Sequence, residues 1–483
     1  MYLNGGLAPH SIITMEDAGS KTLELSTFDQ TIVRVYVRKL FGFAFPHPSK
    51  MPEAVKSIQQ ALHATLERWP FIAGTVGPED TCGTQNMLKL TYREAVPAEL
   101  HPTSFVVKDL SLRECSWTYQ ELVEQGAPPS AMKKEVLSSL PEHPKPGEDC
   151  PAFGMQVNFL EGGLILCFAF HHTVFDGVSG KIFLRAFADN VKISTRRGAV
   201  PADLAAQQRL PCWTERLLPQ LEGFPKYDFS DSPLPVASSA YNTSRIFTFT
   251  SERLAQLKLT VLGCLEEDTG NRADLSTTDC LCELIWVAVM RARSGRLPSD
   301  AKSSYAVAVN ARHRLHPPLP EDYFGNAVLH TTARARVSEL LTADAMLSVA
   351  TIALAALRIR QAVNNVDDVY IRERLALFAS LPSPTQVAVA FKRAVSMPNT
   401  GLDFSDWREQ GADLEFRIPG TIGSTPDWVR KTWSANEGAV NIMPRRGGKG
   451  GPADWEVLLA LNVEDMERVC LPNGLGSWMT RIV

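Results

Sequence analysis

The sequence predicts an α/β fold divided into two domains. Short apolar or alternating segments, which are typical of strands, recur between segments with the apolar spacing of three and four that is typical of helices. The chain has 483 residues, which is too long for one ordinary hydrophobic core. We expect an N-terminal domain at 1–205, a proline-bearing crossover at 206–240 and a C-terminal domain at 241–483.

Predicted elements of the first half rest on hydrophobic spacing and turn residues. They are a strand at 31–37, a helix at 54–69 ended by Pro70, a hairpin of strands at 155–160 and 164–170, and a helix at 178–190. In the second half, the pair Ser276 and Asp279 resembles a capping box at the start of a longer helix. The other elements predicted there are strands at 244–250, 305–309 and 455–461, and helices at 251–262 and 463–470.

Composition and charge exclude several classes of function. A net charge of -4 and a pI near 6.2 leave no basic surface for nucleic acid. No stretch approaches 18 uninterrupted apolar residues, and residues 1–20 lack the pattern of a secretory signal, so neither a membrane span nor a signal peptide is expected. Nine scattered cysteines favour reduced thiols. The sequence therefore predicts a cytoplasmic protein.

The most informative stretch is the apolar segment 164–170 and the residues that follow it. It ends in His171 and His172, and Asp176 and Gly177 come shortly afterwards. A strand that is apolar throughout is buried on both faces, so it supports the groups at its end rigidly. A neutral imidazole with a pKa of about 6.5 can accept a proton at physiological pH and return it.

Three interpretations of His172 and Asp176 compete. His172 can be a general base with Asp176 as an orienting carboxylate, both can bind a metal, or His172 can end a strand while Asp176 caps the next helix. Two adjacent histidines are costly at the end of a buried strand unless their nitrogens are used. No His-Glu-x-x-His or Cys-x-x-Cys occurs, so no metal is expected.

The string His171-His172-Thr173-Val174-Phe175-Asp176-Gly177 resembles the HHxxxDG motif. BAHD acyl-CoA-dependent acyltransferases, peptide-synthetase condensation domains and chloramphenicol acetyltransferase share this motif. Order and spacing from Leu25 to Val469 are similar to the fungal branch of the BAHD family that includes trichothecene 3-O-acetyltransferase. The further segments that carry the resemblance are Ser276-Thr277-Thr278-Asp279, Arg312-His313-Arg314-Leu315, Tyr323-Phe324-Gly325-Asn326, and Asp403-Phe404 at the place of the family's DFGWG, whose glycines are absent here.

The resemblance implies two chloramphenicol-acetyltransferase-like α/β domains with a central substrate channel. In the family, the residue matching His172 deprotonates the acceptor, and the one matching Asp176 points away and holds the loop, followed by Gly177. Asp403 is expected to bond Arg312 as a structural tie remote from the chemistry.

The activity implied by the resemblance is acyl transfer from acyl-CoA, the co-substrate, to a hydroxyl of a fungal secondary metabolite. Acetyl is the expected acyl group, the partner is a small-molecule alcohol, and a monomer is expected. Two alternatives stay open: a condensation-type enzyme with a carrier-protein-bound donor, and a non-catalytic small-molecule-binding member of the fold. The basic loop 445–451 is expected to be solvated rather than to hold a phosphate.

Overall fold

A computed structural model of the chain describes residues 19–79, 84–111, 117–194, 227–230, 232–234, 241–270, 273–341, 346–395, 399–433, 436–444 and 453–483. The predicted crossover lies mostly outside these ranges, and the basic loop 445–451 lies wholly outside them.

Strands and helices alternate along the described chain as the α/β prediction requires. The strands are β1 Ser20–Glu24, β2 Tyr36–Ala44, β3 Thr75–Pro78, β4 Leu88–Arg93, β5 Phe105–Asp109, β6 Cys150–Pro151, β7 Phe153–Leu160, β8 Gly163–His171, β9 Asn242–Phe249, β10 Lys302–Asn310, β11 Val328–Arg336, β12 Gly401–Asp406, β13 Trp428–Lys431, β14 Ala439–Ile442, β15 Trp455–Asn462 and β16 Arg481–Ile482. The helices are α1 Thr27–Thr31, α2 Met51–Arg68, α3 Tyr119–Glu124, α4 Lys134–Leu137, α5 Gly177–Ser194, α6 Ser251–Thr269, α7 Thr277–Arg293, α8 Val337–Leu340, α9 Val349–Asn364, α10 Asp368–Ser380, α11 Thr385–Val395 and α12 Val463–Val469.

Within the described ranges the strands form three sheets. The central sheet has the order β13-β2-β8-β7-β5, the large sheet has the order β11-β10-β12-β14-β15-β9-β16, and a small sheet has the order β1-β4-β3-β6. Strand β13 comes from the second half of the chain but pairs antiparallel with β2 of the first half. The two halves are therefore joined by backbone hydrogen bonds, while the predicted domain boundaries stay a prediction.

Each of the two larger sheets has its own hydrophobic core. Helix α5 packs its apolar side against the central sheet, where Phe183 and Phe187 contact the rings of Phe168 and Phe170. The core of the large sheet includes buried side chains of α6, α7 and α9. Phe324 of the second half lies in the first core, 5.2 Å from the ring of Phe175. The cores are thus separate, but a loop of the second half reaches into the first.

The predicted hairpin is confirmed as β7 and β8, and its turn places residues 161 and 162 between them. The predicted strand at 31–37 is wrong in most of its length. Ser26 and Asp29 form a capping box that starts α1, and β2 begins only at Tyr36.

Among the described residues, no helix combines the length and apolar character that a membrane crossing requires.

Candidate active site

His172 lies in the turn between the buried strand β8 and helix α5. The strand ends at His171, which is opposite Tyr36 of β2. The His172 N–H donates to Val35 O at 2.9 Å, and its carbonyl accepts a hydrogen bond from Asn326 Nδ2 at 2.8 Å. The backbone that carries the imidazole is therefore held from both halves of the chain.

The hydrogen bond of the His172 ring defines its tautomer. Nδ1 lies 2.8 Å from Phe175 O. Because a carbonyl oxygen can only accept, Nδ1 carries the proton and Nε2 keeps its lone pair. Burial lowers the pKa of His172, and hydrogen bonds only partly offset that effect. The ring is neutral at pH 7, with Nε2 in the form that a general base requires.

The neighbouring His171 has a different role. Its side chain is fully buried, and its ring meets that of Tyr36 edge-on at 5.1 Å. Nδ1 of His171 accepts a hydrogen bond from the Thr173 N–H at 3.3 Å. Burial lowers its pKa to about 3. His171 is thus a neutral structural residue that shapes the turn.

Asp176 is bonded through both oxygens of its carboxylate. Oδ2 accepts from Arg312 Nη1 at 2.7 Å and from the Ala327 N–H at 3.0 Å. Oδ1 accepts from Arg312 Nη2 at 3.0 Å and from the Ser179 N–H at 2.9 Å. Burial raises the pKa of Asp176, but the charge and hydrogen bonds of Arg312 outweigh it and hold the pKa below its ordinary value. This carboxylate caps α5 and anchors the turn, so both structural interpretations of Asp176 apply together.

The expected tie between Asp403 and Arg312 is a wrong prediction, because the guanidinium pairs with Asp176. Asp403 lies opposite Ala306 in the register of β12 and β10. Arg312 comes six residues further along, which is roughly 20 Å in extended chain. Among the described residues, Asp403 lies near His330, whose Nε2 is 3.9 Å from Oδ1.

Gly177, the last member of the predicted set, begins α5. A Cβ at this position would lie 3.2 Å from Gln410 Nε2, which is tighter than ordinary van der Waals contact. The absence of a side chain at Gly177 therefore lets the loop of Gln410 pack closely on the first turn of α5.

Sequence reasoning did not assign a role to Asn326 or Asp29. Asn326 Nδ2 bonds both the His172 carbonyl and Asp29 Oδ1, which lies 2.9 Å away. The Asn326 N–H also donates to Asp29 Oδ1 at 2.9 Å. The spacing of Ser26 and Asp29, which is that of a capping box, was the available signal for a helix start. Nothing local to Asn326 indicates its contact with His172, because 154 residues separate the two.

One face of the large sheet turns small and polar side chains away from the core. The register aligns these residues across β11, β10, β12 and β14 on what we call the inner face: His330, Ala306, Ala308, Asp403, Ser405 and Asn441. Residues that alternate with them, such as Val307, Phe404 and Val440, belong to the core. Burial is the main cause that lowers the pKa of His172, and His330 of the inner face adds a smaller electrostatic contribution in the same direction.

The described residues contain no cluster of three or more histidine, cysteine, aspartate or glutamate side chains arranged to hold a metal ion.

The chain matches two family models. Residues 118–470 match the model described as the Transferase family, and residues 35–189 match the Trichothecene 3-O-acetyltransferase-like N-terminal domain. The first match spans well over half of the chain. The protein therefore belongs to the Transferase family, the BAHD-type acyl-CoA-dependent acyltransferases, as the sequence motifs predicted.

Relatives and solved structures agree with this family. Acyltransferase easC of Emericella nidulans is 26% identical over 470 residues and covers 92% of both chains. O-acetyltransferase astG of Aspergillus oryzae is 25% identical over 499 residues, covering 92% of this chain and 99% of that protein. The structure of F. graminearum TRI101 complexed with coenzyme A and T-2 mycotoxin is similar with a TM-score of 0.74 at 21% identity, covering 93% of this chain and 97% of that one. The two-domain fold is thereby confirmed.

Proposed function

We propose that this acyltransferase moves an acetyl group from acetyl-CoA to a hydroxyl of a small fungal secondary metabolite, with Nε2 of His172 as the general base. The single observation that carries the proposal is the hydrogen bond from Nδ1–H of His172 to Phe175 O at 2.8 Å. It leaves Nε2 unprotonated, on a turn that both halves of the chain hold.

The reaction follows from that geometry. Nε2 takes the proton of the acceptor hydroxyl while the oxygen attacks the thioester carbonyl. The tetrahedral intermediate then collapses and expels the CoA thiolate, a good leaving group since a thiol has a pKa of about 8.5. The imidazolium returns its proton to the thiolate. Each proton and electron pair is accounted for without a covalent acyl-enzyme.

Asp176 acts in this mechanism as a positioning residue. Its oxygens are already engaged by Arg312 and by two backbone N–H groups, so it has no free lone pair aimed at a substrate hydroxyl. Its role is to fix the turn that carries His172.

The acyl group and the cellular setting are part of the proposal. Acetyl is supported by relatives that carry the name O-acetyltransferase, such as astG. A cytoplasmic monomer is proposed as well. The described cysteines are free thiols, which suits a reducing compartment. Light scattering after size exclusion measures the oligomeric state.

The first experiment measures thermal unfolding with acetyl-CoA, malonyl-CoA, longer acyl-CoAs and free CoA. A ligand at 100 times its dissociation constant stabilises the native state by about 2.7 kcal/mol. We expect acetyl-CoA to raise the melting temperature. An acyl-carrier protein loaded with the same acyl group is tested in parallel, because a carrier-bound donor is the alternative to free acyl-CoA.

The second experiment screens hydroxylated small molecules for acetylated products by mass spectrometry. The variant His172→Ala should lose turnover by a factor of about 10² to 10⁴, the usual contribution of a general base. His63→Ala, on the exposed side of α2, is the matched control. Equal turnover by wild type and a folded His172→Ala protein would refute the assignment of the base.

A further inference from the structure

Two lysines face each other inside the central sheet. Lys39 of β2 and Lys431 of β13 are directly opposite in the antiparallel register, so their side chains leave the same face. Lys39 is only 3% exposed, and Lys431 is half-buried. Like charges placed opposite each other destabilise a strand pair, and burial adds to that cost. The arrangement calls for a compensating negative charge.

The hydrogen-bond partners of this lysine pair are neutral. Nζ of Lys39 donates to Gln410 Oε1, and Nζ of Lys431 donates to Asn441 Oδ1 at 3.1 Å. Both ammonium groups lie near the Trp407 ring, at 5.7 Å and 5.8 Å from its centroid. Within the described residues, neither lysine forms an ion pair with a carboxylate. An ammonium group has three N–H donors, so each lysine has N–H groups beyond the one that bonds its protein partner.

The electrostatic environment fits an anion site. Burial lowers the pKa of Lys39 to about 7, although the charge of Asp176 opposes this shift. Burial likewise lowers the pKa of Lys431 to about 8, against the charges of Glu142 and Asp403. The nearby carboxylates are therefore too distant to restore the ordinary pKa of either lysine.

The lysine pair borders the turn that carries His172. Nζ of Lys39 would lie 3.0 Å from a Cβ at Gly180, so it rests on the first turn of α5. It also lies 5.3 Å from the centroid of the Phe170 ring, two residues before His172. On the other side, Asn441 belongs to the inner face of the large sheet. The pair thus lies between the first turn of α5 and the inner face of the large sheet.

We propose that Lys39 and Lys431 form a carboxylate-binding site next to the first turn of α5, which recognises a carboxylate carried by the acyl group of the donor or by the acceptor alcohol. A carboxylate offers one oxygen to each ammonium group and supplies the missing charge. The inference rests on the proposed function, since it specifies the chemistry of that reaction's substrates.

The donor arm of the test compares malonyl-CoA with isovaleryl-CoA, whose branched end has about the size of a carboxylate. Calorimetry on the His172→Ala protein measures both dissociation constants without turnover. A carboxylate held by two ammonium groups should favour malonyl-CoA by at least about tenfold. Lys39→Met and Lys431→Met should abolish this preference. Both keep the aliphatic stem and remove a buried charge, so they are expected to fold.

The acceptor arm compares 4-hydroxybenzoate with its methyl ester in the presence of CoA. The same tenfold preference, lost in either lysine variant, would assign the carboxylate to the acceptor. Lys302→Met, at the exposed start of β10, is the matched control and should change neither preference. If neither arm shows a preference, or if a preference survives both lysine substitutions, the carboxylate site is refuted.

The outcomes separate this inference from the proposed function. Acyl-CoA binding without a carboxylate preference in either arm overturns the site but leaves the transferase activity in place. Failure of every acyl-CoA to bind contradicts the proposed donor, while the acceptor arm still decides whether the lysine pair binds a carboxylate.

Discussion

Asp176 and Arg312 form a bidentate ion pair, with N···O distances of 2.7 Å and 3.0 Å between residues 136 positions apart in the chain. Both side chains are almost fully buried. Arg312 also donates to Gly325 O at 2.8 Å, which ties it to the loop of Asn326. Asp176 and Arg312 therefore fix the turn that carries His172 to the second half of the chain.

Removing one member of this pair should cost stability and activity together. Arg312→Met leaves the Asp176 carboxylate buried without its cation, which costs about 3–5 kcal/mol of the free energy of unfolding. Asp176→Ala should be similarly harmful, because Arg312 then stays buried and charged. Urea denaturation measures both, and the double variant should lose less than the sum of the single losses. Additive losses of the free energy of unfolding would contradict the coupling between Asp176 and Arg312. Arg408→Met, in a partly exposed pair with Asp406, serves as the control.

The features of the site that could be predicted from the sequence depend only on residues close together in the chain. Residues 164–170 are apolar throughout, so their burial, the hairpin and the position of His172 at the strand end follow from a short window. The capping boxes of α1 and α7 are equally local. Only the one at Ser276 belongs to the predicted elements; the one at Ser26 has the same spacing but starts a helix of five residues, which is too short to show a helical period.

What could not be predicted depends on contacts between distant segments. The partner of Arg312 is decided by where β10 ends relative to α5, and the expected partner Asp403 is opposite Ala306, six residues before Arg312. The pairing of β13 with β2 is of the same kind, since a strand of four residues carries too little periodicity to reveal its sheet. The opposition of Lys39 and Lys431 follows from that register alone.

The pH dependence of catalysis should report the lowered pKa of His172. The base must be neutral, so kcat/KM falls as the pH drops through the pKa of the folded enzyme. Because burial holds that pKa below the usual value of about 6.5, the acid limb should have its midpoint below pH 6.5. A midpoint above 6.5 in wild type would contradict the assigned environment of His172.

Asn326 should affect turnover through the backbone of His172. Asn326→Ala removes the two bonds that Nδ2 donates, to the His172 carbonyl and to Asp29 Oδ1, and keeps the bond from the backbone N–H to Asp29 Oδ1. We expect a loss of about 1–3 kcal/mol of stability and a fall in kcat with little change in KM, since both lost bonds hold the protein backbone around His172.

The control for this variant is Asn365→Ala, at the exposed end of α9. Steady-state kinetics with the acceptor found in the screen separate kcat from KM. A rise in KM alone, with kcat unchanged, would show that Asn326 acts in binding rather than in holding the turn.

Stability at alkaline pH should reveal the buried ammonium of Lys39. Its folded-state pKa of about 7 lies below the unfolded value of about 10.4, so the unfolded state binds more protons between these two values. The free energy of unfolding of wild type should therefore rise across this window relative to that of Lys39→Met. Asp176, the charged group that opposes the shift, is unchanged in both proteins.

Lys39→Met should be more stable than wild type at pH 7, and this difference in the free energy of unfolding should shrink towards pH 10. Urea denaturation at several pH values measures the difference, with Lys302→Met as the control. Parallel curves for wild type and Lys39→Met would mean that Lys39 keeps its ordinary pKa, and a carboxylate bound between Lys39 and Lys431 should itself flatten the wild-type rise.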